Sequence, residues 1–83
     1  MTAREIKIAK KILDYLHALD GVQAHALSIH AEIGGLVACT SDELDEVLAK
    51  LNTAKYVIGV TTKFRGVMWS ISDQGEAARR QMG

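Results

Sequence analysis

Apolar residues recur at three- and four-residue intervals through Ala3–Leu19. Ile6, Ala9, Ile12, Leu13, Leu16 and Leu19 form one stripe, while Lys7, Lys10, Lys11 and Asp14 fall off it. That is the pattern of an amphipathic helix. Asp20-Gly21 ends it, since glycine accepts the left-handed conformation that closes many helices. The next three residues, Val22-Gln23-Ala24, are short and extended enough for a minor strand. From His25 to Ile33 the residues Ala26, Leu27, Ile29, Ala31 and Ile33 predict a second, short helix, stopped by Gly34-Gly35.

Thr40-Ser41-Asp42-Glu43 predicts a capping box. The threonine hydroxyl accepts from the amide three residues on, and the glutamate there reaches back. Leu44, Val47, Leu48 and Leu51 then make the apolar stripe of a third helix ending near Thr53. Beyond it the period drops to two. Tyr56, Ile58 and Val60 alternate with smaller or polar neighbours, Val67, Trp69 and Ile71 do the same, and Lys63-Phe64-Arg65-Gly66 forms the turn of a β-hairpin. Trp69 belongs on the inward face of its strand. A capping serine or aspartate and an acidic first turn within Ser72–Glu76, with Ala77, Ala78 and Met82 behind them, predict a last short helix with Arg79 and Arg80 near its end.

With 83 residues the chain can build one core but not two, so a single domain over residues 1–83 is expected, burying roughly 60% of its unfolded surface. Hydrophobic residues make up 48% and charged residues 24%, an ordinary globular mixture. No apolar run approaches the roughly 20 residues of a membrane span. The basic segment Met1–Lys11 lacks the hydrophobic stretch of an export signal. Cys39 is the only cysteine, so no internal disulfide can form; a reducing, cytoplasmic setting is expected.

Net charge is zero, which removes a broadly basic surface as an argument for nucleic acid. The charges are nonetheless segregated. Residues 1–20 hold four positive and three negative side chains, 40–53 one and four, 54–66 three and none, and 67–83 two and two.

The helix, short strand, helix, helix, hairpin, helix order describes a mainly α fold with a small β-hairpin, an α+β class. It resembles the winged-helix (winged helix-turn-helix) superfamily over nearly the whole chain. The most specific piece is Trp69-Ser70-Ile71-Ser72-Asp73-Gln74-Gly75-Glu76, similar to that family's strand running into S/T-D-x-G and a final helix. The resemblance implies a DNA-binding regulator whose third helix enters the major groove and whose wing reaches phosphates or the minor groove. Those roles would fall to Thr40–Asn52, with Thr40, Ser41 and Lys50 as contacts, and to Lys55, Lys63 and Arg65. A homodimer through the first or last helix is the expected assembly.

Two features depart from the family pattern. The connection Gly34-Gly35-Leu36-Val37-Ala38-Cys39 exceeds the usual three- or four-residue turn. The third helix also holds Asp42, Glu43, Asp45 and Glu46 against Lys50 alone, a net charge of minus three. Asp42 and Glu43 sit in the first turn, where acids favour the helix dipole; Asp45 and Glu46 have no such role and should repel phosphates. The alternative is therefore a protein-interaction module that does not bind DNA, presenting Asp45, Glu46 and Phe64 to a partner with a basic patch. Lys55, Lys63 and Arg65 could equally serve solubility and discourage edge pairing. Phe64 could insert between bases or anchor a partner, or fold back over the hairpin as minor core, which is the favoured placement. A phosphate-facing stripe of Arg4, Lys7, Lys10 and Lys11 is explained more simply as a solvated helix face.

Catalytic and metal chemistry find no pattern. His17, His25, His30 and Cys39 lack the short paired spacing of a zinc site. Cys39, beside Leu36, Val37 and Ala38, reads as a small buried residue. Gly34-Gly35 lacks the glycine spacing and lysine of a phosphate loop. No cofactor, metal or catalytic residue is expected.

Overall fold

A computed structural model describes residues 1–82, and in it four helices and three strands follow the order α1 (Ala3–Ala18), β1 (Ala24–His25), α2 (Ala26–Ile33), α3 (Ser41–Thr53), β2 (Val57–Thr62), β3 (Gly66–Ile71) and α4 (Asp73–Gln81). The strands form one antiparallel sheet in the order β1-β3-β2, giving a small α+β fold. No helix among the described residues is long and apolar enough to cross a membrane.

Local chemistry opens each long helix. Thr2 caps α1 and Thr40 caps α3 by the same capping box, each hydroxyl accepting from an amide 3.1 Å away, at Glu5 and Glu43, while the glutamate accepts from the threonine amide. His25 caps α2, its Nδ1 accepting from the Leu27 amide at 3.1 Å. Asp20 and Gly21 take left-handed backbone angles, φ 51° and 88°, and turn the chain out of α1.

The core lies among the three helices, with Ile12, Leu13, Leu16, Ile29, Leu48 and Leu51 essentially inaccessible. On α1 the buried set is Ile8, Ala9, Ile12, Leu13 and Leu16. Ile6, expected in that stripe, is 43% exposed, and Ile8 replaces it. The i, i+4 pair Ile8–Ile12 runs beside Ala9–Leu13 on one face, and Ile6 lies at the edge of that face in the first turns of the helix. Leu27 on α2 is likewise exposed. The minor strand comprises Ala24–His25 rather than Val22–Ala24; Ala24 and His25 are the residues opposite Trp69 and Met68 of β3, while Val22 is exposed.

The hairpin corrects the expected pairing. A four-residue turn would set Ile58 and Val60 opposite Ile71 and Trp69 on one face. The loop is instead three residues, Lys63–Arg65, because Gly66, at φ 68°, already pairs with Thr62. The resulting register sets Val57 against Ile71 and Gly59 against Trp69 on the inner face, and Ile58 against Ser70 and Val60 against Met68 on the outer. One residue of register flips a whole apolar set, so Ile58 and Val60 lie 48% and 41% exposed. Trp69 keeps its inward place: it packs against the core and covers Gly59, where a Cβ would come within 2.8 Å of the indole.

Ser72-Asp73-Gln74-Gly75 locks the sheet to α4. The Ser72 hydroxyl caps α4 by accepting from Gly75 N–H at 3.0 Å and donates to the Lys55 carbonyl at 2.6 Å. Gly75 lies against β2's entry, where a Cβ would stand 2.0 Å from the Tyr56 carbonyl oxygen.

Candidate nucleic-acid interface

At the hairpin tip the backbone is fastened by Thr62, whose hydroxyl accepts from Arg65 N–H at 3.0 Å and donates to the Gly66 carbonyl at 2.8 Å. The three residues outside this clasp are all exposed. Phe64 does not fold back over the hairpin as favoured from the sequence: it is 90% exposed. The Trp69 indole packs over Gly59 on the inner face of the sheet, and all three residues of the turn stay at the surface. Lys63 Nζ stands 5.5 Å from the Phe64 ring centroid, a cation–π contact. Neither Lys63 nor Arg65 has a carboxylate within 4.0 Å among the described residues.

The root of this tip borders an open hollow of about 620 Å³ in which Arg65 and Met68 face Tyr15, Val22, His25 and Leu27. A smaller hollow of about 260 Å³ on the other side of His25 and Leu27 is lined by Ser41, Leu44 and Asp45. The first turn of α2 therefore stands between the hairpin and the N-terminal turn of α3. His25 belongs to both hollows. Its Nδ1 accepts from Leu27, so the neutral ring holds its proton on Nε2, which approaches to 3.7 Å of where a Cβ on Gly66 would sit. The sequence marks His25 only as a helix-start residue; its place beside the hairpin comes from β1 pairing with β3, for which the sequence offers no signal.

Of the six candidate nucleic-acid contacts, Arg65 and Ser41 line the two hollows that share His25 and Leu27, Lys63 and Thr40 are near them in sequence, and two lie elsewhere. Lys50 turns to α1 and pairs with Glu5. Lys55, at φ 66°, precedes β2, and a six-residue strand puts it about 20 Å from the tip. The Thr40 hydroxyl is occupied by its cap, leaving Ser41 as the freer of the two hydroxyls.

The acids of α3 divide. Glu43 receives Arg4 Nε at 2.7 Å, and Arg4 Nη2 also donates to the Ala38 carbonyl at 2.7 Å. The arginine hydrogen bond lowers the Glu43 carboxyl to about 2, and the bond from Lys50 does the same for Glu5. Asp42, Asp45 and Glu46 are exposed and have no cation within 4.0 Å among the described residues. With Lys50 and Glu43 engaged on α1, the outward surface of α3 presents three free carboxylates and no free cation.

The long connection before α3 is held at both walls. Arg4 bonds Ala38 from α1, and His30 Nε2 lies 2.8 Å from the Cys39 carbonyl oxygen. Burial, with Glu43 nearby, pushes the Cys39 thiol up, which opposes thiolate formation. Among the described residues no group of three His, Cys, Asp or Glu side chains gathers into a metal-ligand cluster. The helices expected to form a dimer contact bond to each other, His17 Nδ1 with Glu76 at 2.7 Å and Asp14 with Arg79 at 3.3 Å. The chain matches no family model, no curated protein and no solved structure.

Proposed function

We propose that this chain is a winged-helix module that binds duplex DNA, with the β2–β3 hairpin as its leading contact, and that it serves transcriptional regulation. The observation that carries the reading is the tip itself: Lys63 and Arg65 without carboxylate partners among the described residues, on a turn fastened by Thr62. The element order and the sheet order β1-β3-β2 support the winged-helix assignment. So does the placement of the α3 N-terminus and the wing on either side of one turn of α2. Phosphate-binding cations at a tip position a protein on a duplex. The free acids of α3 keep that helix back from the phosphates, so the contact is led by the wing.

Salt-dependent anisotropy of a labelled random duplex tests this. Binding at about 50 mM salt that weakens steeply by about 200 mM is expected, and replacing Lys63 and Arg65 together by Ala should flatten the salt slope by about two phosphates' worth. Absence of binding by micromolar protein at low salt refutes the proposal.

One observation favours a second reading. Asp42, Asp45 and Glu46 form an acidic face on α3 that is unpaired among the described residues, suited to a protein with a basic patch. Reversing Asp45 and Glu46 to Lys should tighten DNA binding under the first reading and abolish capture of a basic partner under the second.

A further inference from the structure

We infer that Phe64 is a wedge that enters the minor groove of duplex DNA and opens a base-pair step, with Lys63 and Arg65 holding the phosphates on either side. This rests on the DNA-binding reading above and names how the wing engages its target.

Phe64 is the most exposed large apolar side chain of the fold, at 90%. Exposure alone would be unremarkable for a surface residue. Here three further observations bear on it. First, the turn that presents the ring is stiff, since Thr62 clasps both Arg65 and Gly66 and Gly66 adopts the left-handed angle the turn requires. A wedge works only on a support that does not yield when it meets a stacked duplex. Second, cations flank it on both sides in sequence, at Lys63 and Arg65, and no carboxylate lies within 4.0 Å of either among the described residues. The occupant must therefore combine an apolar slot with negative charge on either side of it, the chemistry of a base step between two phosphate chains. Third, the tip is narrow. A three-residue turn carries the ring, and a minor groove about 6 Å wide admits a single aromatic side chain where it does not admit a helix. The acids on α3 oppose major-groove docking but not this mode, because the contact is made at the end of the hairpin.

The experiment uses the intact chain and three duplexes of one sequence, one with a dye at each end for bending by energy transfer, one with a single end label for anisotropy, and one carrying 2-aminopurine at central steps. The wild type is expected to bind, raise 2-aminopurine fluorescence by unstacking, and shorten the end-to-end distance. Phe64→Ala should bind about tenfold more weakly, the size of one lost aromatic–base contact. It should also lose the fluorescence rise and keep the wild-type salt slope, because no phosphate contact is removed. Phe64→Leu, still apolar, should restore part of both signals. Since the ring supports nothing in the fold, circular dichroism of all three proteins should superimpose. Equal affinity and equal 2-aminopurine response for wild type and Phe64→Ala overturn the wedge while leaving wing-led binding intact. Failure of the wild type to bind any duplex overturns both, and loss of binding to a basic or acidic protein partner on Phe64→Ala would assign the ring to a protein pocket instead.

Discussion

Between α1 and α3, the long charged side chains that cross from one helix to the other are matched: Arg4 takes Glu43 and Lys50 takes Glu5. At the hairpin tip Lys63 and Arg65 have no opposite charge among the described residues, and Phe64 stands 90% exposed between them. Apolar residues divide the same way. Ile8, Ile12, Leu13, Leu48 and Leu51 are sealed between helices, whereas Ile58 and Val60 face outward from the sheet. A side chain already paired and buried is spent on the fold; one left unpaired on a stiff turn is available for something else. The comparison therefore places the stability in the helices and leaves the hairpin tip as the surface on which the proposed function rests.

Substitutions that strike the helical side and its junction should have the largest effects. Leu51→Ala removes a fully buried side chain and should cost about 3 kcal/mol in urea unfolding followed by Trp69 fluorescence. Val60→Thr, on the outer sheet face, should stay within about 0.5 kcal/mol of wild type. A similar loss for both would erase the distinction between the two regions. Gly75→Ala should cost about 3 kcal/mol as well, because its Cβ would stand 2.0 Å from the Tyr56 carbonyl oxygen, which is backbone and cannot swing aside.

Gly59→Ala is the graded case. Its Cβ would meet the Trp69 ring at 2.8 Å, and a side chain can yield, so about 1 kcal/mol is expected, read by circular dichroism since the indole itself must move.

Acid should act on the helical side. Glu5 and Glu43 are each lowered from 4.5 to about 2 by Lys50 and Arg4 respectively. A carboxylate whose value is depressed in the folded state stabilises above its unfolded value and loses that contribution as the pH falls through the folded one. The melting temperature should thus decline as pH drops from about 4.5 toward 2. The decline should be shallower in Glu5→Gln/Glu43→Gln and smaller at high salt, because both pairs are exposed to solvent. The smallest stability change should come from Lys63→Ala/Arg65→Ala, within about 0.5 kcal/mol, although the duplex binding proposed above should lose about two phosphates' worth of salt dependence with it.

Much of the helical architecture is legible from local chemistry. The Thr40–Glu43 box begins α3 where the sequence places it, and Leu44, Val47, Leu48 and Leu51 are all buried. Asp20-Gly21 closes α1 by the left-handed turn that glycine permits. Ser72, one of two residues able to cap α4, proves to be the cap, and the glycine of the S-D-x-G segment is required by the close approach of the Tyr56 backbone. The hairpin is legible in its existence but not in its register. The turn residues look like four, the ladder closes at three, and Ile58 and Val60 change faces. In the candidate site, the exposed cations of the tip are where the sequence puts them, but Lys50 belongs to a pair with Glu5. These residues are 45 positions apart, a separation invisible to local periodicity.

The sequence by itself determined the succession of elements, their caps and the segregation of charge, because each depends on residues within one or two turns of one another. The tertiary structure alone decided which charges are neutralised, which face of the hairpin looks inward, and that α2's first turn stands between the hairpin and α3. These depend on side chains and backbones brought together from distant parts of the chain, and on a strand register in which a single residue inverts the outcome.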